Sequence, residues 1–240
     1  MKAVTYDFWN TLMWAEPGMM GELRRGQIEL ALEGSGLEVG PDAIESGLLA
    51  IGELHSEAWM RGELFNPVDG VGHFIESLGP EVTDAHADAL TGALLLDSVQ
   101  PRLNPATGVK DTLAVLKENG FRTAIVCDVG LAPSSVLRRS LENAGLLELF
   151  DGWAFSDEVG HYKPAPEIFD HALEAIGARP GESIHVGDLR RTDVAGSRSF
   201  GMTAVRYAGV LEDDDEASAE ADHVITDHRE ILDLLDIVAA

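Results

Sequence analysis

The sequence predicts an α/β fold, a doubly wound parallel sheet carrying an inserted all-helical domain, and three observations predict it. Short apolar runs recur along the chain, separated by stretches of helical periodicity. The first of these runs, Ala3 to Tyr6, stops at the acidic residue Asp7, which is how a buried parallel strand delivers a polar group to its carboxyl end. Between residues 15 and 96 this alternation disappears and only helix faces remain.

Taken in order, the strand candidates are AVTY (3–6), TAIV (123–126), WAF (153–155), SIHV (183–186), TAV (203–205) and HVI (223–225). Each is a short, mostly apolar run, the pattern of a strand covered on both faces. Helical stretches separate them; in VKDTLAVLKENG, Val109, Leu113 and Leu116 recur at helical spacing. Ile44, Leu48, Ile51 and Trp59, followed by Val71, Phe74, Ile75 and Leu78, supply the helix faces of the insert. Residues 1–14 and 97–240 are therefore expected to form the α/β core, and residues 15–96 a helical domain inserted after the first strand. Gly and Pro punctuate the chain at Asn66-Pro67, Gly79-Pro80 and Pro101 to Pro105, with no internal repeat or low-complexity linker.

A chain of 240 residues is long enough to bury a sizeable core, and 45% hydrophobic residues place it well inside the globular range. Its 17 Lys and Arg against 42 Asp and Glu leave a formal charge of −25, which repels nucleic acid and anionic membranes. No segment reaches the roughly 18 uninterrupted apolar residues of a membrane-spanning helix. The single cysteine, Cys127, cannot form a disulfide within the chain, and Asp7 interrupts the first apolar run before a signal-peptide core forms. A cytoplasmic protein without nucleic-acid or membrane partners is expected, acting on a small anionic substrate; a homodimer is left open. The acidic run Glu212 to Glu216 reads as a solvated loop, and Arg24, Arg25 and Arg61 as solvated positions on helix faces of the insert.

Open parallel sheets bind ligands beyond the carboxyl ends of their strands, so the residues just after each apolar run carry the chemistry. The first run is followed by Asp7-Phe8-Trp9-Asn10-Thr11-Leu12, the second ends in Cys127-Asp128-Val129-Gly130, and the run 183–186 leads into Gly187-Asp188-Leu189-Arg190-Arg191-Thr192-Asp193. Between them lies Gly160-His161-Tyr162-Lys163-Pro164-Ala165-Pro166-Glu167-Ile168-Phe169. In order and spacing, from Val4 to Ala208, these segments resemble the haloacid dehalogenase-like hydrolases. SDEVGHYKPAPEIF and HVGDLRRTDVAGSRSFGM look like the helical-cap branch of that family.

The resemblance implies a Rossmann-like core with a helical cap over the cleft, an Asp7 nucleophile, a charge-balancing Lys163, and Mg²⁺ held by Asp7, Asp188 and Asp193. These residue types suit that chemistry. A carboxylate attacking phosphorus or an activated carbon splits one hard hydrolysis into two easier displacements. A nearby ammonium favours the ionised nucleophile, and Mg²⁺ takes one or two carboxylates together with waters and substrate oxygens.

Three positions depart from the pattern. The residue two after the nucleophile, a second Asp in phosphatases of the family, is Trp9 here, so the general acid is missing. An aromatic or non-acidic residue also occupies this position in the 2-haloacid dehalogenases, whereas the Gly187-Asp188 pair belongs to the metal-dependent branch. The Ser/Thr-Asn pair that binds phosphate is replaced by Cys127-Asp128: a thiol is a weak donor and a carboxylate repels an anion. Asp128 is then protonated, turned elsewhere, or a substitute general base, and anion binding passes to backbone N–H groups around Gly130 and a helix beginning near Ser134. His161 reads as a surface histidine. The expectation is a Mg²⁺-dependent hydrolase of a small phosphorylated metabolite, with a 2-haloacid dehalogenase-like enzyme and a degenerate, non-catalytic binding member as alternatives.

Overall fold

The structure is a computed structural model that describes residues 1–237. The chain divides into two compact units, one built from Met1–Trp14, Leu103–Asp128 and the chain from Leu141 onward, the other from Ala15–Arg102 and Val129–Ser140. In this division the helical unit takes in residues 15–102 together with 129–140, against the 15–96 proposed from the sequence.

The strands in chain order are β1 (Ala3–Tyr6), β2 (Met13–Trp14), β3 (Asn104–Pro105), β4 (Arg122–Cys127), β5 (Gly152–Phe155), β6 (Ser183–Gly187), β7 (Thr203–Tyr207) and β8 (His223–Ile225). Six of them form one sheet in the order β5-β4-β1-β6-β7-β8, and every pairing within it is parallel. β1 lies at its centre, with Val4 opposite Thr123 on one side and Ile184 on the other. All four residues of β1 are fully buried, which is why this strand reads as a continuous apolar run rather than an alternating one.

The short antiparallel ladder of β2 and β3, with Met13 opposite Pro105 and Trp14 opposite Asn104, was not predicted. Two-residue strands carry no periodicity, and Pro105 is tolerated because it donates nothing to the ladder. These strands flank the insertion in sequence, and their pairing closes the sheet unit at the point where the helical segment leaves and re-enters it.

The helical unit contains α1 (Met19–Leu32), α2 (Pro41–Arg61), α3 (Pro67–Ser77) and α4 (Asp84–Leu94). Ile28, Ile44, Ile51, Val71, Phe74 and Leu90 form its buried core, with Leu48, Ile75 and Leu78 packed against it. Trp59 is only half-buried. Of the three arginines expected to be solvated, Arg25 and Arg61 lie near carboxylates at the surface. Arg24 is the correction: it is 8% exposed and its Nε donates to the Leu94 carbonyl at 3.1 Å. Burial lowers its pKa to about 10.

In the sheet unit, α5 (Val109–Glu118) buries Val109, Leu113 and Leu116, the stripe read from the sequence. A further helix, α6 (Ser134–Ala144), begins in the helical unit and ends in the sheet unit. It is followed by α7 (Ser156–Val159), α8 (Pro166–Ile176), α9 (Ala195–Ser199) and α10 (Glu230–Leu234). Helix α8 places Ile168, Phe169, Ala172 and Leu173 against Ala3, Ala124, Val126 and Ala154 of β1, β4 and β5. This packing anchors the loop before α8, the loop that carries Lys163.

Candidate active site

Asp7 follows β1 directly, its backbone N–H donating to the Val186 carbonyl at 2.8 Å, and its surface is 4% exposed. The chain then reverses through Phe8 to Leu12, and Asn10 takes the left-handed conformation at φ 55. Asparagine tolerates that region better than other residues with a Cβ, and its side chain is put to use: Nδ2 donates to Asp188 Oδ2 at 3.2 Å. Trp9 packs edge-on against Phe8 at 5.0 Å and places no ionisable group in this turn.

Lys163, in the loop between α7 and α8, is 3% exposed, and its Nζ reaches two carboxylates, Asp7 Oδ1 at 2.5 Å and Asp193 Oδ1 at 2.7 Å. Its own backbone N–H donates to Asp128 Oδ1 at 2.8 Å. Asp128 thus binds the lysine loop through Oδ1 and lies close enough to Asp7 for its charge to raise that carboxyl. Cys127 is fully buried in β4, where burial and then the Asp7 charge push its thiol well above the ordinary range. A thiol held protonated in this way is a poor nucleophile.

Asp188 and Asp193 come from the segment after β6. Gly187 stands between strand and carboxylate because a Cβ there would collide with the Asp193 side chain. Residues Arg190–Val194 then make a π-helical turn, and Asp193 folds back so that both of its oxygens accept hydrogen bonds. Oδ1 takes Lys163 Nζ and His185 Nε2, the latter at 3.0 Å, while Oδ2 takes the Leu189 N–H at 3.2 Å and the Thr192 hydroxyl at 3.1 Å. The carboxylate only accepts, so His185 Nε2 carries the hydrogen and Nδ1 takes a bond from the Thr5 hydroxyl at 2.8 Å. Burial lowers the pKa of this imidazole, against the bond and charge of Asp193.

The electrostatics follow from one ammonium facing three buried carboxyls. Burial opposes the ionisation of Asp193, but Lys163 and His185 more than offset it and hold Asp193 well below the usual carboxylate range. Burial also pushes Asp7 up, and Lys163 does not fully counter it because Asp193 and Asp128 lie close. The Lys163 charge is shared between Asp7 and Asp193 rather than given to Asp7 alone. Asp188 is raised well above the usual range by burial and then by Asp7 and Asp193. Lys163 itself is raised, burial being outweighed by Asp193 and Asp7.

This surplus of negative charge is what a divalent cation would balance. Asp193 has both oxygens committed to protein donors, so the carboxylates suited to direct ligation are Asp7 and Asp188. One or two carboxylates, with waters and substrate oxygens, is the ligand set magnesium prefers. Among the described residues no group of three or more His, Cys, Asp or Glu is arranged as an all-protein cage, and a site of that kind does not need one.

Asn10, His185 and Thr5 were not singled out from the sequence. The visible signal was His185, a polar residue inside the otherwise apolar run SIHV. The acidic run 212–216 was misread as a wholly solvated loop. Asp213 is buried and accepts the Arg190 N–H at 2.6 Å, and Glu212 pairs with Arg206 at 3.0 Å, so the run braces the segment that carries Asp188 and Asp193. His161 is exposed, as expected.

Comparison with known proteins agrees with this architecture. A glyceraldehyde 3-phosphate phosphatase of Pyrococcus furiosus is 34% identical over 138 residues, covering 56% of this chain and 55% of the relative. An (S)-2-haloacid dehalogenase of Pseudomonas sp. is 30% identical over 124 residues, covering 52% of this chain and 53% of the relative. In each case the match spans about half the length of the relative. Among solved structures, a HAD phosphatase from Thermococcus onnurineus superposes with a TM-score of 0.66 at 26% identity, covering 98% of both chains. Residues 1–201 match the family model for haloacid dehalogenase-like hydrolases, and with the parallel sheet and the buried Asp7–Lys163–Asp193 cluster at its strand ends, the chain belongs to that family.

Proposed function

We propose that the protein is a Mg²⁺-dependent phosphohydrolase of a small phosphorylated metabolite, with Asp7 as the nucleophile. The observation that carries this reading is the buried Asp7, held at Oδ1 by a Lys163 ammonium that Asp193 shares, with the buried Asp188 close enough for the Asp7 charge to push it up. With Asp7 Oδ1 held by Lys163, Oδ2 is the oxygen that attacks phosphorus. Lys163 positions the carboxylate and offsets charge on the phosphoryl oxygens. Asp193 orients Lys163, and His185 and Thr192 orient Asp193. Asn10 fixes one oxygen of Asp188 and leaves the other for the metal. Bound Mg²⁺ would supply neutralisation of the phosphoryl charge. The phosphatase relative supports the substrate class.

A second reading, a dehalogenase acting on a short 2-substituted acid, is favoured by Trp9, since a halide leaves without a proton. Asp188 argues against it, because a buried carboxylate beside the nucleophile serves no purpose in that chemistry without a cation. The test is release of phosphate and of halide from panels of phosphate esters and 2-haloacids, each with Mg²⁺ and with a chelator. Calorimetric titration with Mg²⁺ alone accompanies it. Chelator-sensitive phosphate release with a binding isotherm lost in Asp188→Asn supports the phosphohydrolase. Metal-independent halide release replaces it with the dehalogenase, and silence on both panels restores the non-catalytic alternative.

A further inference from the structure

We propose that the helical unit carries a binding site for the oxyanion of a small molecule, a carboxylate or a phosphate, centred on Arg24 of α1 and bordered by His55 of α2. The site is built from residues of that unit alone and does not depend on which reaction the strand-end cluster performs.

Arg24 is 8% exposed, and its one bond is to a neutral acceptor: Nε donates to the Leu94 carbonyl at the end of α4. Its Nη nitrogens form no hydrogen bond or ion pair among the described residues. Burial alone acts on its pKa, where a carboxylate within reach would push it up. Arg206 shows the contrast, since it is buried as deeply but holds Glu212 at 3.0 Å and Glu220 at 2.8 Å.

A buried charge without a counter-ion is costly, and a chain with 42 Asp and Glu has carboxylates to spare. The Leu94 carbonyl would be served as well by a neutral donor. What a guanidinium adds is a planar fork that takes both oxygens of a carboxylate or phosphate. The surroundings suit such a guest. The Arg24 charge reaches His55, adding to the burial that lowers the pKa of that ring against its bond to the Val129 backbone. The ring stands edge-on to Phe65 with centroids 5.6 Å apart, and a Cβ on Gly130 would lie 3.5 Å from His55 Cε1. Rings and backbone of the helical unit, rather than carboxylates, thus border the cation on the His55 side. In so poorly hydrated a place the attraction of the guanidinium for an anion is stronger than in water.

Two consequences separate this role from that of a cap on α4. An oxyanion that neutralises Arg24 stabilises the folded chain by mass action. Without that ion the guanidinium is a burden, so replacing it with an apolar side chain of similar length leaves the empty fold as stable or more so. A capping arginine predicts the reverse on both counts.

The experiment titrates the full chain with inorganic phosphate and with acetate, by calorimetry and by thermal midpoint, in chelator so that the strand-end carboxylates hold no cation to attract the anion. Both anions are expected to bind the unaltered chain and raise its midpoint. Arg24→Met is expected to weaken binding by about 10–10²-fold, with a ligand-free midpoint equal to or above the parent's. Arg24→Lys, which keeps the charge without the fork, falls between them. A kinetic arm, which alone rests on the phosphohydrolase reading, identifies the source of the oxyanion. It compares ethyl phosphate with phosphoglycolate, which carries a carboxylate in place of the methyl group. A KM raised about 10-fold by Arg24→Lys for phosphoglycolate only, with kcat little changed, makes the oxyanion a second anionic group of the substrate. Equal effects on the two esters make it a separate ligand, and no turnover of either ends the phosphohydrolase reading while the titration still judges the site. No binding of either anion by the unaltered chain, or binding that Arg24→Met and Arg24→Lys leave intact, would overturn the site and make Arg24 a cap on α4.

Discussion

Acidification is predicted to weaken the sheet unit through His228, a residue outside the candidate site that holds the turn following Asp7. His228 has no exposed surface; its Nε2 lies 2.8 Å from the Thr11 carbonyl, and its ring stacks on Tyr207 at 4.4 Å. A carbonyl only accepts, so Nε2 carries the hydrogen, and Nδ1 is buried without a hydrogen-bond partner among the described residues. A second proton would sit on Nδ1 with nothing to receive its bond. Burial accordingly lowers the pKa from 6.5 to about 4, with the Thr11 bond and the Asp227 charge opposing only in part. The unfolded chain takes this proton near 6.5 and the folded chain near 4, so between those values the unfolded state binds more protons and stability falls as pH falls. The contribution is complete above pH 6.5 and, at about 1.4 kcal/mol per pH unit, about 3 kcal/mol of it is gone by pH 4. His228→Phe keeps the stack on Tyr207 and abolishes the titration, at the cost of an orphaned Thr11 carbonyl worth about 1–3 kcal/mol. The variant is therefore less stable than the parent by about 2 kcal/mol at neutral pH, and the gap closes towards zero around pH 5. Urea unfolding of both chains across this range, with matched m-values, measures it. A gap that stays constant from neutral pH down to 4.5 would refute the argument.

Other substitutions test the site itself. Asp7→Asn is expected to lower phosphate release by more than about 10³-fold. It also deletes one of the carboxyls sharing Lys163, so its thermal midpoint should match or exceed the parent's; turnover retained by this variant would remove Asp7 from the chemistry. Lys163→Met strands Asp7 and Asp193 without their ammonium and is expected to cost about 3–5 kcal/mol in metal-free urea unfolding. A loss below about 1 kcal/mol would mean that the pair is not the buried ionic contact described. His185→Phe preserves the edge-on contact with Phe169, 5.1 Å in the parent, but removes a donor from Asp193. A fall in kcat of roughly 10-fold or more with KM little changed is expected, and an unchanged kcat would show that Lys163 and the backbone orient Asp193 unaided.

The sheet was legible because burial on both faces writes itself into sequence. AVTY and TAIV are mostly apolar where they run side by side, buried at the centre, and HVI coincides with β8 residue for residue although His223 and Val224 at that edge are exposed. What escaped notice lacks that signal. The β2–β3 ladder is two residues long, and the segment 129–140 groups with the helices through contacts distant in sequence. Arg24 is one position from the half-buried Arg25 on the same helix, and its bond to the Leu94 carbonyl carries no signal in sequence. The acidic run was misjudged because like charges in a row do repel. What relieves them is Arg206, brought alongside by β7, and the Arg190 N–H, brought by the turn after β6.

The site residues stood out because strand ends in a parallel sheet converge, so Asp7, Asp128 and the Asp188–Asp193 segment had to meet. Which of them is neutralised, and by what, is a different kind of information. Lys163 was read as the partner of Asp7 alone, yet its Nζ lies almost as close to Asp193, and Asp193 collects three further donors that Asp7 does not. Both oxygens of Asp193 accept hydrogen bonds from the protein, whereas Asp7 is held at Oδ1 by Lys163 and Asp188 at Oδ2 by Asn10. A sequence can show four carboxylates converging, but the order in which they claim one ammonium depends on distances of a few tenths of an ångström. Those distances depend in turn on Gly187, whose missing Cβ lets the Asp193 carboxyl lie against the strand end. The placement of the Asp193 carboxyl thus traces to the absence of one methyl-sized group next to Asp188, a position where glycine otherwise reads only as a turn.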